Sequence, residues 1–392
     1  MKHAQSKPAD VAIIGGGIAG SSAAIVLGRQ GFDTVLIDPH ETFPDDFRCE
    51  KFDASQIETI TRMGLAKDVF SKCTPIDDVW LGRFGYLVNK MPYPHYGFAY
   101  KTVIDAMRAN LPPNVNSIRN KVQSVENQKD IQTLILADGS TISSRLVIVA
   151  NGLNPGLRKQ FGIEQEMLSK NHCMAIGFDV MPTSGNRFGF GSMTYWPEKT
   201  SNKMAYFTAF KSGNKYRTNL FGYWDKGEDF LTALQNNPEN TLDALMPRLR
   251  NMIGNFEAIG RIHMRPIDIV QHHTQHIDGL VFIGDAFSTS CPGAGTGAGK
   301  ALTDVERLCQ YHVSDWLNGN DFSAETLSSF YNDPVKVESD KHNFESAWFL
   351  RSITMEKGLM WDARRWGRFL YHLSKGKLDA MPFGKQMDKE AA

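Results

Sequence analysis

The sequence predicts an α/β chain in which a parallel, helix-covered sheet is interrupted by a mostly antiparallel one and followed by a helical C-terminus. Three observations predict it. A short apolar run, Val11 to Ile14, leads through glycines into a helical stretch, and a second such run, Thr34 to Ile37, follows. Between Cys173 and Met264 the pattern changes to alternating, aromatic-rich runs. At Leu280 to Ile283 the buried-strand pattern returns, so distant residues complete the first domain.

Taken in order, Ala19 to Gln30 is rich in Ala, Ile and Leu and is expected as a helix closed by Gly31. With the two strands it makes a βαβ opening, a unit of right-handed parallel sheets. Ser55 is expected to cap a helix running to Met63, with Gly64 beyond it. Val79 to Val88 and Lys90 to Tyr96 read as short strands and turns. Tyr100 to Asn110 reads as a helix stopped before Pro112 and Pro113. Val122 to Glu126, Ile131 to Leu136 and Thr141 to Ser143 read as a meander turning at Asp138-Gly139, and Leu146 to Val149 as a buried strand. In the insertion, strands are expected at Cys173 to Val180, Arg187 to Gly191, Lys203 to Phe210 and Tyr216 to Trp224. Helices follow at Asp229 to Gln235 and Thr241 to Asn251. Thr296 to Leu317 reads as one long helix, and the remainder is helical.

Lys plus Arg and Asp plus Glu both number 43, a balance that argues against a nucleic-acid partner. No apolar run approaches the roughly 20 residues of a membrane span. The polar start from Met1 to Asp10 lacks a signal-peptide layout, and a cytoplasmic location is expected. Cys49, Cys73, Cys173, Cys291 and Cys309 are scattered and odd in number, so reduced thiols are expected rather than disulfides or a zinc site.

Two motifs carry chemistry. Gly15-Gly16-Gly17-Ile18-Ala19-Gly20 matches G-x-G-x-x-G between strand and helix. Gly15 permits the tight turn, Gly17 the close approach of backbone to pyrophosphate, and Gly20 close helix–strand packing. The N–H groups opening the helix, at Ile18 and Ala19, attract phosphate. Asp38 ends the next strand, where a carboxylate accepts from ribose hydroxyls. This is a Rossmann-like dinucleotide site. The second motif is Gly284-Asp285 after Leu280 to Ile283, followed by Pro292-Gly293-Ala294-Gly295-Thr296-Gly297-Ala298-Gly299. The strand delivers Asp285 to the carboxyl end of the sheet, in reach of a ribityl chain. The helix opening at Gly295, Thr296 and Gly297 favours negative charge on a reduced isoalloxazine ring.

With both motifs in this order, the chain resembles the FAD-dependent monooxygenases of the para-hydroxybenzoate hydroxylase type over about its first 320 residues. The resemblance implies FAD held by Gly15 to Gly20 with Asp38, and by Gly284-Asp285 with the Pro292 to Gly299 loop. It further implies contacts from Arg48, from Tyr100 or Lys101, and near Val122, with Pro292 close to the ring. The implied organisation is an FAD-binding domain over 8–78, 99–172 and 276–322, a substrate-binding sheet domain over 79–98 and 173–275, and a helical region over 323–392. One departure stands out. Asn151-Gly152 occupies the place of the family's Asp-Gly; Asn keeps a hydrogen-bonding oxygen but lacks the charge. NADPH or NADH is the implied transient donor, and loss of that charge leaves a separate reductase as the alternative.

The implied reaction is oxygen transfer from a flavin hydroperoxide to an electron-rich aromatic or polyketide-like substrate, with molecular oxygen consumed. Substrate contacts are expected among Phe178, Tyr195, Phe207 and Tyr223, although each residue type there is more often core than ligand contact. Alternatives on the same scaffold are a reductase or dehydrogenase, a halogenase, or a non-catalytic flavin sensor. The W-x-W-x-I-P signature of tryptophan halogenases is absent. His272, His273 and His276 are expected in a solvated turn, with no metal. Cys291 is expected as buried filler. Trp361 to Lys377 mixes aromatic and basic residues; it is expected to dock on its own core with a charged outer face, rather than to lie on a membrane.

Overall fold

The computed structural model describes residues 7–44, 50–128, 130–185, 187–273 and 277–379. The chain divides into two units. The first comprises Met1–Cys73, Phe98–Lys170 and Asp268–Ser346; the second comprises Thr74–Gly97, Asn171–Ile267 and Ala347–Ala392. The C-terminal helices therefore split between them, Ala324–Tyr331 in the first and Leu359–Asp379 in the second.

The first unit is built on five parallel strands in the order Val115–Arg119, Thr34–Asp38, Ala9–Ile14, Thr141–Val149 and Leu280–Phe282. Val11 and Ile13 join the apolar cluster on one face, while Ala12 and Ile14 join the cluster on the other. Burial on both faces is why this strand reads as an unbroken apolar run. The helix Ile18–Arg29 covers one face, and Gly31 (φ 93°) follows its last turn. From the central Ala9–Ile14 strand the chain moves first to Thr34–Asp38 on one side and later to Thr141–Val149 on the other. A ligand crevice opens at the carboxyl end of such a reversal.

The second unit is a largely antiparallel sheet. It contains Phe256–His272 up to Ile267, Gln165–Pro182 from Asn171, Lys215–Gly222, Met204–Ser212, Ser192–Tyr195, Thr74–Arg83 and Tyr86–Gly97, with one parallel pairing between Ser192–Tyr195 and Thr74–Arg83. Helices Asp229–Asn236, Pro238–Leu245 and Leu249–Ile253 close its apolar cluster.

Several local expectations need correction. Asp53, not Ser55, caps the helix Ala54–Arg62, because its carboxylate accepts from Ser55 and Gln56 N–H while Gln56 reaches back to the Asp53 N–H. Thr141–Val149 is one strand, since its first residues pair with Gln132–Leu136 and its last with Leu280–Phe282. Arg187 to Gly191 forms no strand; pairing begins at Ser192. The helix expected over Thr241 to Asn251 breaks at Met246 (φ −131°, ψ 68°), as the following Pro247 requires. The long helix after Thr296 carries a π-helical turn over Leu308–His312.

Candidate functional site

Three loops lie at the carboxyl ends of neighbouring strands in the first unit. The first is the glycine turn. Gly15 has φ 103°, and a Cβ there would lie 2.6 Å from the Ala150 carbonyl oxygen. At Gly20 a Cβ would lie 1.8 Å from the Gly15 oxygen, so only glycine lets the helix seat on its strand. The Gly16 N–H donates to Asp38 Oδ2 at 2.7 Å, and the His40 N–H to Asp38 Oδ1 at 2.9 Å. Burial pushes the Asp38 carboxyl up, but these two amides and the Arg108 guanidinium outweigh it and hold it below the usual range.

Arg108 is a residue that sequence reasoning missed. Its Nε and Nη2 donate to the Gly16 carbonyl at 3.1 and 2.8 Å, its Nη1 to the His40 carbonyl at 2.8 Å, and its Nη2 lies 3.0 Å from Asp38 Oδ1. It clamps the glycine turn to the end of the second strand. Nothing in sequence marks it beyond a basic residue in the last turn of a helix. Tyr100 also reaches this turn: its buried hydroxyl accepts from the Ile18 N–H at 3.0 Å, with Phe43 packed edge-on against its ring. That N–H opens the helix and is a natural phosphate donor. Lys101 instead pairs with Asp105 on its own helix. Val122 is buried in the meander, in the cluster that also holds Ile14 and Ile37. Arg48 lies outside the described residues.

The second loop is Asn151-Gly152. Asn151 Oδ1 is buried without a hydrogen-bond partner, and its backbone abuts Gly15. Arg158, 6% exposed, donates to the carbonyls of Gly152 and Leu153 and, across to the third loop, of Ala286. Burial pushes its guanidinium down, and Asp285 opposes that.

The third loop begins at Gly284 (φ 60°), whose N–H donates to Asp304 Oδ2 at 2.8 Å. Pro292–Ala294 forms one tight turn, Gly295 follows at φ 74°, and Thr296 stands at the cap of the helix Gly297–Arg307. Gln56 Nε2 donates to the Gly295 carbonyl. Under this loop lies a buried charge cluster. Lys336 Nζ is 3.1 Å from Asp304 Oδ1 and 2.7 Å from Asp340 Oδ2, and Lys300 Nζ is 3.4 Å from Asp304 Oδ2. Both lysines lie over the Phe287 ring. Burial pushes the Asp304 carboxyl up and the Lys336 amine down. The opposite charges outweigh burial in both cases, so Asp304 is lowered and Lys336 raised. The signal available in sequence was two Lys-to-Asp pairs at i,i+4, at 300/304 and 336/340.

These residues fit an FAD. The turn is confined to glycine where a dinucleotide backbone approaches, Asp38 offers ribose acceptors, and the orphaned Asn151 Oδ1 is a buried acceptor between the two glycine loops. The helix Gly297–Arg307 points its N-terminus from the third loop.

The aromatic positions of the second unit fall differently. Phe178, Tyr195 and Phe207 are fully buried in its apolar cluster. The Tyr195 hydroxyl accepts from the Gly85 N–H and donates to Glu198. Burial raises its pKa. Tyr223 keeps polar company, with the His172 ring at 6.1 Å and the Arg351 guanidinium at 5.2 Å. His272 is corrected: it is buried at a strand end, its N–H bonded to Phe287, not in a solvated turn. His273 is partly exposed beside Glu166, and His276 lies outside the described residues. No group of three or more His, Cys, Asp or Glu side chains among the described residues is placed to hold a metal. Cys291 is fully buried.

A Rossmann-like sheet with a glycine turn, a ribose acid and a second glycine loop opening a helix defines a flavin-dependent oxidoreductase scaffold. The chain belongs to the FAD binding domain family, whose model matches residues 8–320. It is similar to 6-hydroxynicotinate 3-monooxygenase of Bordetella bronchiseptica, with 23% identity across 78% of this chain and 82% of that one. It is also similar to 3-demethoxyubiquinol 3-hydroxylase of Escherichia coli K12, with 22% identity across 79% and 81%. Its fold matches the solved structure of p-nitrophenol 4-monooxygenase from Pseudomonas putida DLL-E4 with a TM-score of 0.74, 16% identity and 94% of each chain covered. The chain is accordingly an FAD-dependent oxidoreductase of the aromatic monooxygenase type.

Proposed function

We propose that this monooxygenase hydroxylates a small electron-rich ring, a phenol or a hydroxylated heteroaromatic, at the expense of molecular oxygen and NADPH or NADH. One oxygen atom enters the ring in place of hydrogen, the other leaves as water, and the nicotinamide supplies the two electrons. The observation that carries this reading is the convergence of three loops, at Gly15–Gly20, Asn151-Gly152 and Gly284–Gly297, at the carboxyl ends of adjacent strands. The names of the relatives supply the ring chemistry.

Bound FAD supplies the two-electron and oxygen chemistry. The chain's residues hold it. Ile18, Ala19 and Gly20 N–H groups and the helix dipole receive the pyrophosphate, with Tyr100 adjusting the first of them. Asp38 receives the ribose, its charge state secured by Gly16, His40 and Arg108. Asn151 and Asp285 lie in the two glycine loops. The N-terminus of Gly297–Arg307, opened by Gly295 and Thr296, favours negative charge in the ring system, and Pro292 shapes the approach. Arg158 holds two of the loops in register. In the second unit, Tyr223 with His172 and Arg351 is the proposed polar contact for a phenolic substrate, whereas Phe178, Tyr195 and Phe207 build the sheet core that supports it.

The test is oxygen uptake by purified yellow protein with NADPH or NADH and a panel of phenols and hydroxypyridines, with ¹⁸O₂ label followed into product by mass spectrometry. Substrate-stimulated uptake with one labelled oxygen in the product is the expected result. Nicotinamide oxidation that no ring compound stimulates, or label absent from product, overturns the reading.

A further inference from the structure

The helix Leu359–Asp379 belongs to the second unit and rests on the hairpin Thr74–Arg83/Tyr86–Gly97. Its inner face is packed. The Phe369 ring lies 6.0 Å from Phe84, His372 lies 5.3 Å from Trp196, and a Cβ at Gly376 would lie 2.6 Å from the Val88 oxygen, while Trp366, at the edge of this face, lies 6.4 Å from Phe84 and stays half exposed. Its outer face carries the exposed charges expected from sequence, Arg364, Arg368, Lys375 and Lys377, and beside them an apolar stripe that was not expected. Leu359 is 90% exposed, Met360 58%, Trp366 48%, Leu370 56% and Tyr371 61%. At 3.6 residues per turn Leu359, Ala363, Trp366 and Leu370 form one stripe, with Met360 and Tyr371 beside it. The hairpin tip next to Phe84 adds Tyr86, 73% exposed, and Leu87. Folded chains rarely leave this much apolar surface together without an occupant.

The margin of the stripe is basic. Arg364 and Lys375 flank it and Lys377 ends it; the helix carries five cations against two acids. At its N-terminal end a cavity of about 320 Å³ is lined by Arg83, Arg365, Lys199, Thr200 and Ser201, with Glu198 and Asp362 also present. Glu198 is engaged by Tyr195 and Asp362 by Arg365. Arg83 is 8% exposed, donates only its Nε, to the Pro197 carbonyl, and has no carboxylate within salt-bridge distance among the described residues. Arg365 is paired with Asp362 and bonded to the Ile353 and Glu356 carbonyls, so only its Nε is left unpartnered. Arg83 sits among the Phe84, Trp366 and Phe369 rings, with Glu198 beyond salt-bridge distance as its counter-charge, and its two Nη groups remain donors for an anion.

We propose that this helix and the hairpin tip form an interfacial surface that binds an anionic lipid bilayer, with a lipid phosphate received at the Nη groups of Arg83. An apolar stripe edged by cations is the pattern of a helix lying in the plane of a membrane surface. A second copy of this chain is the poorer occupant, because a two-fold contact would set the two basic margins against each other. Among the described residues no helix is long and apolar enough to cross a membrane, so the contact is peripheral.

The test is co-sedimentation of the full chain with phosphatidylcholine vesicles, with and without phosphatidylglycerol. Binding is expected only with the anionic lipid, with a blue shift of tryptophan emission. Leu370→Glu should abolish it, and Arg364→Gln with Lys375→Gln should weaken it roughly thirtyfold, at about 1 kcal/mol per cation. All three positions are solvent-exposed, so melting temperatures should not move. Arg83→Gln should lower the preference for anionic over neutral vesicles roughly fivefold, at about 1 kcal/mol for one cation. Because Arg83 is buried, competition by soluble glycerol phosphate against binding of the unaltered chain gives an independent readout of the same pocket. Absence of binding, equal binding to neutral vesicles, or a dimer in solution that Leu370→Glu dissociates would each overturn the proposal.

Discussion

Replacing Lys336 by Met removes a charge while nearly preserving the side chain's length. Lys336 is fully buried, and its amine serves Asp304 at 3.1 Å and Asp340 at 2.7 Å. In the native cluster two lysines balance two aspartates; the variant leaves one carboxylate uncompensated. Removing one partner of a buried ion pair costs about 3–5 kcal/mol. The first unit spans roughly 225 residues, and at about 2.1 cal/mol/K per residue that cost lowers its melting temperature by about 6–11 °C. The penalty carries a pH signature. In the native chain Asp304 is depressed, so its contribution is present above its ordinary value near 3.8 and is lost as pH falls through the folded value. Lys336 is raised, so its contribution is present below its ordinary value near 10.5 and is lost as pH rises through the folded value. Without Lys336, Asp304 takes up a proton more readily, so the loss should be larger at pH 8 than at pH 5. Thermal unfolding followed by circular dichroism at both pH values measures it. The double variant Lys336→Met/Asp304→Asn restores the balance and should recover at least half the loss. No shift at pH 8, or an equal shift at both pH values, refutes the reasoning.

Gly20→Ala places a Cβ 1.8 Å from the Gly15 oxygen, and should cost the protein its FAD; absorbance of the purified chain near the flavin bands is the readout. Arg158→Met unties the Asn151 and Gly284 loops and should weaken FAD binding by about 2 kcal/mol, roughly thirtyfold, by fluorescence titration, because two of its partners stand on different loops. Burial pushes His272 down to about 4 from an ordinary 6.5, so the unfolded chain binds the extra proton first and stability falls as pH drops between those values. His272→Gln should flatten that fall in urea titrations, and an unchanged slope would assign it elsewhere. Asn151→Asp restores a charge at a buried oxygen that has no partner; stopped-flow reduction by NADPH should speed up, while an unaltered rate rules out the missing charge as the determinant of donor use.

Much of the fold was legible because its signals are local. Val11 to Ile14 is apolar on both faces since helices cover one and the strand meander Val122–Asn127/Gln132–Leu136 covers the other, and Gly15, Gly17 and Gly20 are spaced by the geometry of one turn. The returning strand at Leu280 announced a discontinuous domain for the same reason. Where signals compete, the reading slipped. Asp53 and Ser55 are both good caps, and only the reciprocal bond with Gln56 decided between them. Aromatic content suggested substrate contacts, yet Phe178, Tyr195 and Phe207 had to fill a sheet core, which composition alone does not distinguish from a pocket.

By itself the sequence determined the βαβ opening, the two glycine loops and therefore the cofactor class, because backbone conformations that exclude a Cβ leave a mark on every residue that adopts them. Only the tertiary structure decided that Tyr100 and Arg108 serve the first loop, that Arg158 joins the second to the third, and that Lys300, Asp304 and Lys336 carry the Gly284 turn. It also decided which face of the last helix is apolar and outward. Those are pairings between residues up to 128 positions apart in the case of Arg158 and Ala286, and a charged side chain acquires its partner from packing rather than from its neighbours in sequence.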